Sequence, residues 1–227
     1  MRKEVLGLLS MVILFSCQEV KKEFQNEPVE VAPVTDELSI DYKSLGMDTT
    51  TIPKGLIVGD EAPNVPLTTS ENKKVTLKDF YEKQPVVVIF YRGYWCPICN
   101  KYLTEFAEKA TRIEDAGAKI IAISSESYEN ATKTIAKNKI DFTVISDLDG
   151  SIMEAFDVKF DVTKEYQGMI QDKLGASISE TNANKEGVLP VPATFIIDTN
   201  GKIIYKQFDP DYKNRATIEE ILAHLPK

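Results

Sequence analysis

The sequence predicts an α/β domain in which a central mixed β-sheet is covered by helices on both faces. Three observations predict it. Residues 86–91 (VVVIFY) form a β-branched and aromatic run too continuous to be half exposed, and 119–124 (KIIAIS), 142–146 (FTVIS) and 193–198 (ATFIID) read the same way, as buried strands. Helical periods separate these runs. The chain then ends on a strand pair and a helix, which implies a sheet of mixed direction.

Each element has a local reason. After the first buried strand, Leu103, Phe106, Ala107, Ala110 and Ile113 fall on one helical face, which Gly117 closes. A second helix runs from Tyr128 to Lys137. Asp147-Leu148-Asp149-Gly150 is a turn leading to Ser151 as a helix N-cap, with Glu154 three residues on. Asn200-Gly201 marks a hairpin into the alternating strand 202–208. Thr217 and Glu220 form a capping box, after which Ile218, Ile221, Leu222 and Leu225 face inward.

Ahead of this domain the composition changes. Arg2 and Lys3 form a positive end, and residues 5–15 are an apolar run too short to span a bilayer, so 1–16 read as a signal peptide. The run ends in Leu14-Phe15-Ser16-Cys17, which resembles the lipobox of bacterial lipoproteins. That resemblance implies lipidation of Cys17 and an extracytoplasmic protein anchored in the bacterial cell envelope. A plain secretory signal that contains a cysteine is the alternative. Residues 17–52 are rich in acidic side chains (Glu19, Glu23, Glu27, Glu30, Asp36, Glu37) and read as a flexible tether, with a docked arm over 38–47 as the alternative. Residues 53–227 remain for the domain.

The chain has 227 residues and a formal net charge of −8, which excludes nucleic acid as a partner because phosphate binding needs an excess of Lys and Arg. There are three cysteines. With Cys17 in the anchor, one C-x-x-C pair is left, Cys96 and Cys99. Together with the single His224 they fall short of a zinc ligand set, so no metal is expected. The pair reads as a redox centre that needs no cofactor. A fixed disulfide staple is the alternative, but so small a loop removes little chain entropy.

The pair follows a buried strand, a turn containing Gly93, and Tyr94-Trp95; Pro97 suits the first position of a helix. Both sulfurs thus fall in the first helical turn, where unpaired N–H groups and the helix dipole lower a thiol pKa from about 8.5 into the range of roughly 3.5–7.5.

Residues 59–225 resemble the AhpC/TSA, or peroxiredoxin-like, group of the thioredoxin superfamily. The resemblance rests on Gly59-Asp60-Glu61-Ala62-Pro63, on Val75-x-Leu77-x-Asp79-Phe80, and on Tyr91-Arg92-Gly93-x-Trp95-Cys96-Pro97-x-Cys99. Leu189-Pro190-Val191-Pro192-Ala193-Thr194-Phe195 and Asp209-Pro210-Asp211-Tyr212 complete it. It implies a thioredoxin-like fold. Typical members carry P-x-x-x-[TS]-x-x-C. On that frame Arg92 stands at the Pro, Cys96 at the Thr or Ser, and Cys99 at the attacking Cys. Pro192 stands where typical members have Arg and thioredoxins a cis-proline, so a cis Val191-Pro192 bond beside the thiols is expected. Phe90 stands where thioredoxins bury an Asp. Arg92 is a candidate replacement for the lost guanidinium, or a solvated turn residue. Trp95, Tyr94 and Val191 are candidates for docking a partner.

Two catalytic readings follow from the resemblance, with a non-catalytic redox-sensing module as a third. One is a peroxidase, in which a thiolate attacks a hydroperoxide, the other Cys resolves the sulfenic acid, and a thioredoxin-like donor dithiol restores the pair. The other is an oxidoreductase acting on protein disulfides. Cys96, at the helix entrance, is expected to be the more solvent-accessible and hence the nucleophile; the peroxiredoxin frame points to Cys99.

Overall fold

The computed structural model describes residues 40–69 and 73–227; residues 1–16, the lipidation candidate Cys17 and the acidic stretch up to residue 39 lie outside them. In chain order the elements are β1 (Pro66–Thr68), β2 (Lys74–Thr76), α1 (Lys78–Tyr81), β3 (Val86–Phe90), α2 (Pro97–Ala107), α3 (Thr111–Asp115), β4 (Lys119–Ser124), α4 (Tyr128–Asn138), β5 (Thr143–Ser146), α5 (Ser151–Ala155), β6 (Lys159–Asp161), α6 (Lys164–Leu174), α7 (Ile178–Thr181), β7 (Val188–Pro190), β8 (Ala193–Ile197), β9 (Ile203–Phe208) and α8 (Ile218–His224).

The four continuous apolar runs become β3, β4, β5 and β8 of a five-stranded mixed sheet ordered β5-β4-β3-β8-β9. β3, β4 and β5 are parallel, joined by helical crossovers, whereas β8 is antiparallel to both β3 and β9. Alternation along β3 divides the core. Val87 and Ile89 face α2, α3 and α8 through Leu103, Phe106, Ile113 and Ile221. Val86, Val88 and Phe90 face the opposite layer, where Phe90 meets Phe156 and Phe195 at ring distances of 5.2 and 6.1 Å. A β-strand buried on both faces has no polar side to show, which is why its sequence does not alternate.

Three local expectations change. The single helix expected up to Gly117 is two, because its hydrogen bonds tighten to the third preceding residue at Lys109, Ala110, Arg112 and Ile113. The tightened turn keeps Phe106, Ala110 and Ile113 on the sheet. Gly150, not Ser151, is the N-cap of α5, and Asp147 supplies the acceptor, taking the Ile152 and Met153 N–H groups at 3.2 and 2.8 Å. No peptide bond among the described residues is cis, so Val191-Pro192 is trans. The Val191 N–H bonds to Val158 O at 2.7 Å, and the chain runs extended from β7 into β8 rather than turning at the proline.

The compact unit spans Ile40–Lys227, so residues 40–52 belong to it rather than to a tether. Met47 is buried and bridges Val162, and Thr163 N bonds to Gly46 O at 2.9 Å. The strands β6 and β7 and the helices α6 and α7 form a segment between β5 and β8 with no counterpart in the apolar pattern. It roofs the end of the sheet where α2 begins.

Candidate functional site

The site is built where β3 gives way to α2. Tyr91 N extends the β3–β4 ladder to Ile123 O at 3.1 Å, and a tight turn then closes with Cys96 N on Gly93 O at 3.1 Å. Cys96 is the N-cap of α2. Its Sγ takes the place of a capping oxygen and accepts the Cys99 N–H at 3.2 Å, while Pro97 occupies the first helical position. Cys99 is therefore the third helical residue. Both cysteines are free, and both are fully buried at 0% exposure, so the expected solvent access at Cys96 is absent. The roof contributed by α6 and β7 covers the helix entrance that sequence spacing alone leaves open.

Two guanidinium groups reach the sulfurs. Arg92, 3% exposed, donates to Cys96 Sγ at 3.2 Å and to the Tyr166 hydroxyl at 2.8 Å, and its guanidinium lies 3.5 Å from the centre of the Tyr212 ring. The solvated-turn reading of Arg92 does not hold. Arg215 donates to Cys99 Sγ at 3.5 Å and is itself held by Tyr212 O at 2.8 Å. Burial opposes charge on Arg92, and the adjacent Cys96 and Cys99 overcome it, so Arg92 stays cationic.

The sulfurs titrate as a pair. Burial opposes ionisation of Cys99, but the hydrogen bond from Cys96 and the charges of Arg215 and Arg92 outweigh it and hold Cys99 well below the ordinary thiol range. The hydrogen bond to Cys99, burial and the charge on Cys99 all push Cys96 up. The pair thus loses its first proton readily, and the charge settles on Cys99, between two cations.

Of the residues singled out in the sequence, Cys96, Cys99, Trp95 and Val191 share one packed cluster, and Pro192 is buried at its edge. Trp95 is 7% exposed and Val191 is fully buried, which leaves only Tyr94 of the three docking candidates at the surface. The Tyr94 ring lies 5.5 Å from Lys133 Nζ on α4. Sequence reading missed Arg215, Tyr166 and Glu126, whose carboxylate accepts the Tyr94 N–H at 2.6 Å beneath the turn. Tyr212 alone had a signal, as the end of the Asp209-Pro210-Asp211-Tyr212 motif. Among the described residues no group of His, Cys, Asp and Glu could hold a metal.

The profile of the AhpC/TSA family matches residues 58–206, a span that contains Arg92, both thiols and Pro192. A thiol-disulfide oxidoreductase ResA from a strain of Bacillus cereus is 31% identical over 170 residues, covering 75% of this chain and 78% of the relative. A chloroplastic peroxiredoxin Q from Oryza sativa subsp. japonica is 28% identical over 156 residues, covering 67% of this chain and 61% of the relative. Among solved structures, the peroxidoxin BcpB from Mycobacterium tuberculosis superposes with a TM-score of 0.56 at 21% identity, over 74% of this chain and 94% of that one.

Proposed function

This chain belongs to the AhpC/TSA family and is a thiol-dependent oxidoreductase, and on that premise we propose that it is a peroxidase of the C-x-x-C subgroup, with Cys99 as the attacking sulfur. The observation that carries this reading is a fully buried Cys99 sulfur that accepts a hydrogen bond from the Arg215 guanidinium at 3.5 Å. In the reduced protein a hydroperoxide is small enough to reach a covered sulfur. Arg215 also lines a cleft of about 490 Å³ between α2 and α8, together with Tyr102 and Phe106.

In the first step Cys99 thiolate attacks one peroxide oxygen and the O–O bond breaks. The departing alkoxide or hydroxide takes a proton from solvent, and Cys99 becomes a sulfenic acid. Arg215 faces the oxygen on which negative charge develops. Cys96 then loses its proton and attacks the Cys99 sulfur. Hydroxide leaves as water with that proton, and the disulfide closes across the first turn of α2. Arg92, already on Cys96 Sγ, stabilises that sulfur as it becomes charged. A thioredoxin-like donor dithiol returns two electrons and two protons.

The acidity of Cys99 favours it over Cys96, which the N-cap position alone had suggested. Stopped-flow mixing of the reduced protein with hydrogen peroxide should give a sulfenic acid in Cys96→Ser and none in Cys99→Ser; the reverse pattern removes the assignment. The ResA similarity favours a second reading, reduction of envelope protein disulfides. Rapid insulin-disulfide reduction with no peroxide burst would select it.

The basic end, apolar run and lipobox of residues 2–17 support anchoring through Cys17 in the bacterial cell envelope. Cys17→Ala should move the protein out of the membrane fraction or leave it unprocessed; an unmodified Cys17 in the mature wild type, seen by mass spectrometry, would rule the anchor out.

A further inference from the structure

A carboxylate lies beneath the C-x-x-C turn that none of these steps uses. Glu126 follows β4 and is 0% exposed. One oxygen accepts the Tyr94 N–H at 2.6 Å; the other accepts the Thr134 hydroxyl at 2.9 Å and that of Ser124 at 3.4 Å. Among the described residues no ion pair reaches it. Beside it the buried Tyr91 hydroxyl has no hydrogen-bond partner. An unpaired carboxylate out of water is costly unless it takes up a proton. A proton on Glu126 would also provide a donor for the orphaned Tyr91 oxygen.

We propose that Glu126 is the proton acceptor coupled to the redox state of the Cys96–Cys99 pair, protonated when the disulfide is reduced and ionised when it forms. The charge balance leads to this. Reduction of the disulfide by two electrons and one proton leaves a Cys96 thiol and a Cys99 thiolate, which adds one negative charge to a buried centre. If Glu126 takes up a second proton, the buried charge moves from Glu126 to Cys99 instead of doubling. Two protons then accompany two electrons.

The surroundings agree in sign. Burial is the largest influence on Glu126 and raises it; the hydrogen bonds from the Tyr94 N–H and the Thr134 hydroxyl work against burial, and the charge on Cys99 raises it further. Since the coupling is reciprocal, an ionised Glu126 in turn opposes the Cys99 thiolate. The other groups facing it are Tyr91 just after β3, Ser124 at the end of β4, Thr134 and Lys133 from α4, and the neutral Asn182 after α7. Lys133 is half exposed and ion-paired with Glu129 at 2.8 Å, so its effect is the same in both redox states.

The inference rests on the pair being redox-active and holds whether the oxidant is a peroxide or a protein disulfide. The test equilibrates the full-length protein with glutathione buffers from about pH 5 to about pH 8, the range a buried glutamate reaches. Each proton taken up adds about 30 mV per pH unit to the slope of the potential. The wild type should show a segment with two protons per two electrons, Glu126→Gln one, and Glu126→Asp should restore the second. Glu126→Gln should also lower the pH at which Cys99 is alkylated. Independently, reduced-minus-oxidised infrared spectra of the wild type should gain a protonated carboxyl band that ¹³C-glutamate labelling shifts. Identical slopes in wild type and Glu126→Gln, or no such band on reduction of the wild type, would overturn the proposal. If Glu126→Gln does not fold, the wild-type band decides alone. Peroxidase activity does not enter, so failure of the peroxide reading leaves this result intact.

Discussion

At the scale of single residues, two guanidiniums reach the sulfurs, of which the sequence exposed one. Arg92 stands four residues before Cys96, inside the motif, and was legible as a candidate. Arg215 is 116 residues from the sulfur it touches, and no spacing rule reaches that far. An opposite charge at this range moves a pKa by about 1–3 units. Arg215→Met should therefore raise Cys99 and slow its alkylation about tenfold or more near neutral pH, with no effect at high pH. A pH series of alkylation rates on the Cys96→Ser background checks this. Arg92→Met should act differently, slowing disulfide closure after sulfenic acid formation, because its hydrogen bond lies on Cys96.

At the scale of elements, the turn and the caps were mostly readable, but their acceptors were not. Gly93 has φ +152°, and an added Cβ would lie 2.7 Å from Trp95 Nε1 and 3.2 Å from Glu126 Oε1. Gly93→Ala should cost about 1–3 kcal/mol from the strained backbone and displace Trp95 within the cluster it shares with the thiols. Urea denaturation and Trp fluorescence of the folded state would show both.

The start of α5 carries a pH signature. Burial raises Asp147 from 3.8 to about 6 against the opposing bonds from the Met153 and Ile152 N–H groups. A carboxyl raised in the fold stabilises it fully below the unfolded value, and the contribution is lost as pH rises through the folded one. The unfolding free energy of the wild type relative to Asp147→Asn should thus fall by about 2–3 kcal/mol between about pH 4 and about pH 7. A flat difference across that range would contradict the burial argument.

At the scale of the whole molecule, the site is completed by segments that border it only in three dimensions. Gly46 lies so close under α6 that an added Cβ would be 2.4 Å from the Tyr166 ring, and Met47 is buried in the same cluster as both thiols. Tyr166 in turn holds Arg92. Met47→Ala should cost about 2–5 kcal/mol as a core truncation. It should also slow the thiol reaction, because the prop under Tyr166 is lost. Equilibrium denaturation together with stopped-flow rates would separate the two effects. The acidic character of residues 18–37 made a docked arm over 38–47 only the alternative to a tether: the apolar Tyr42, Leu45 and Met47 follow directly on a stretch that reads as solvated.

By itself the sequence determined the sheet and the thiol centre. Runs such as 86–91 are apolar on every residue and have no stable place except between two layers, and a C-x-x-C with Pro after the first Cys suits the opening of a helix. These are local properties, set by periodicity and by the stereochemistry of one turn. Tertiary structure alone decided how the centre is covered and charged. The trans Val191-Pro192 bond, the roof over Cys96, Arg215 on Cys99 and Glu126 beneath Tyr94 all depend on which distant segments meet. Burial and Coulomb energies depend on distance in space, and spacing along the chain does not encode that distance.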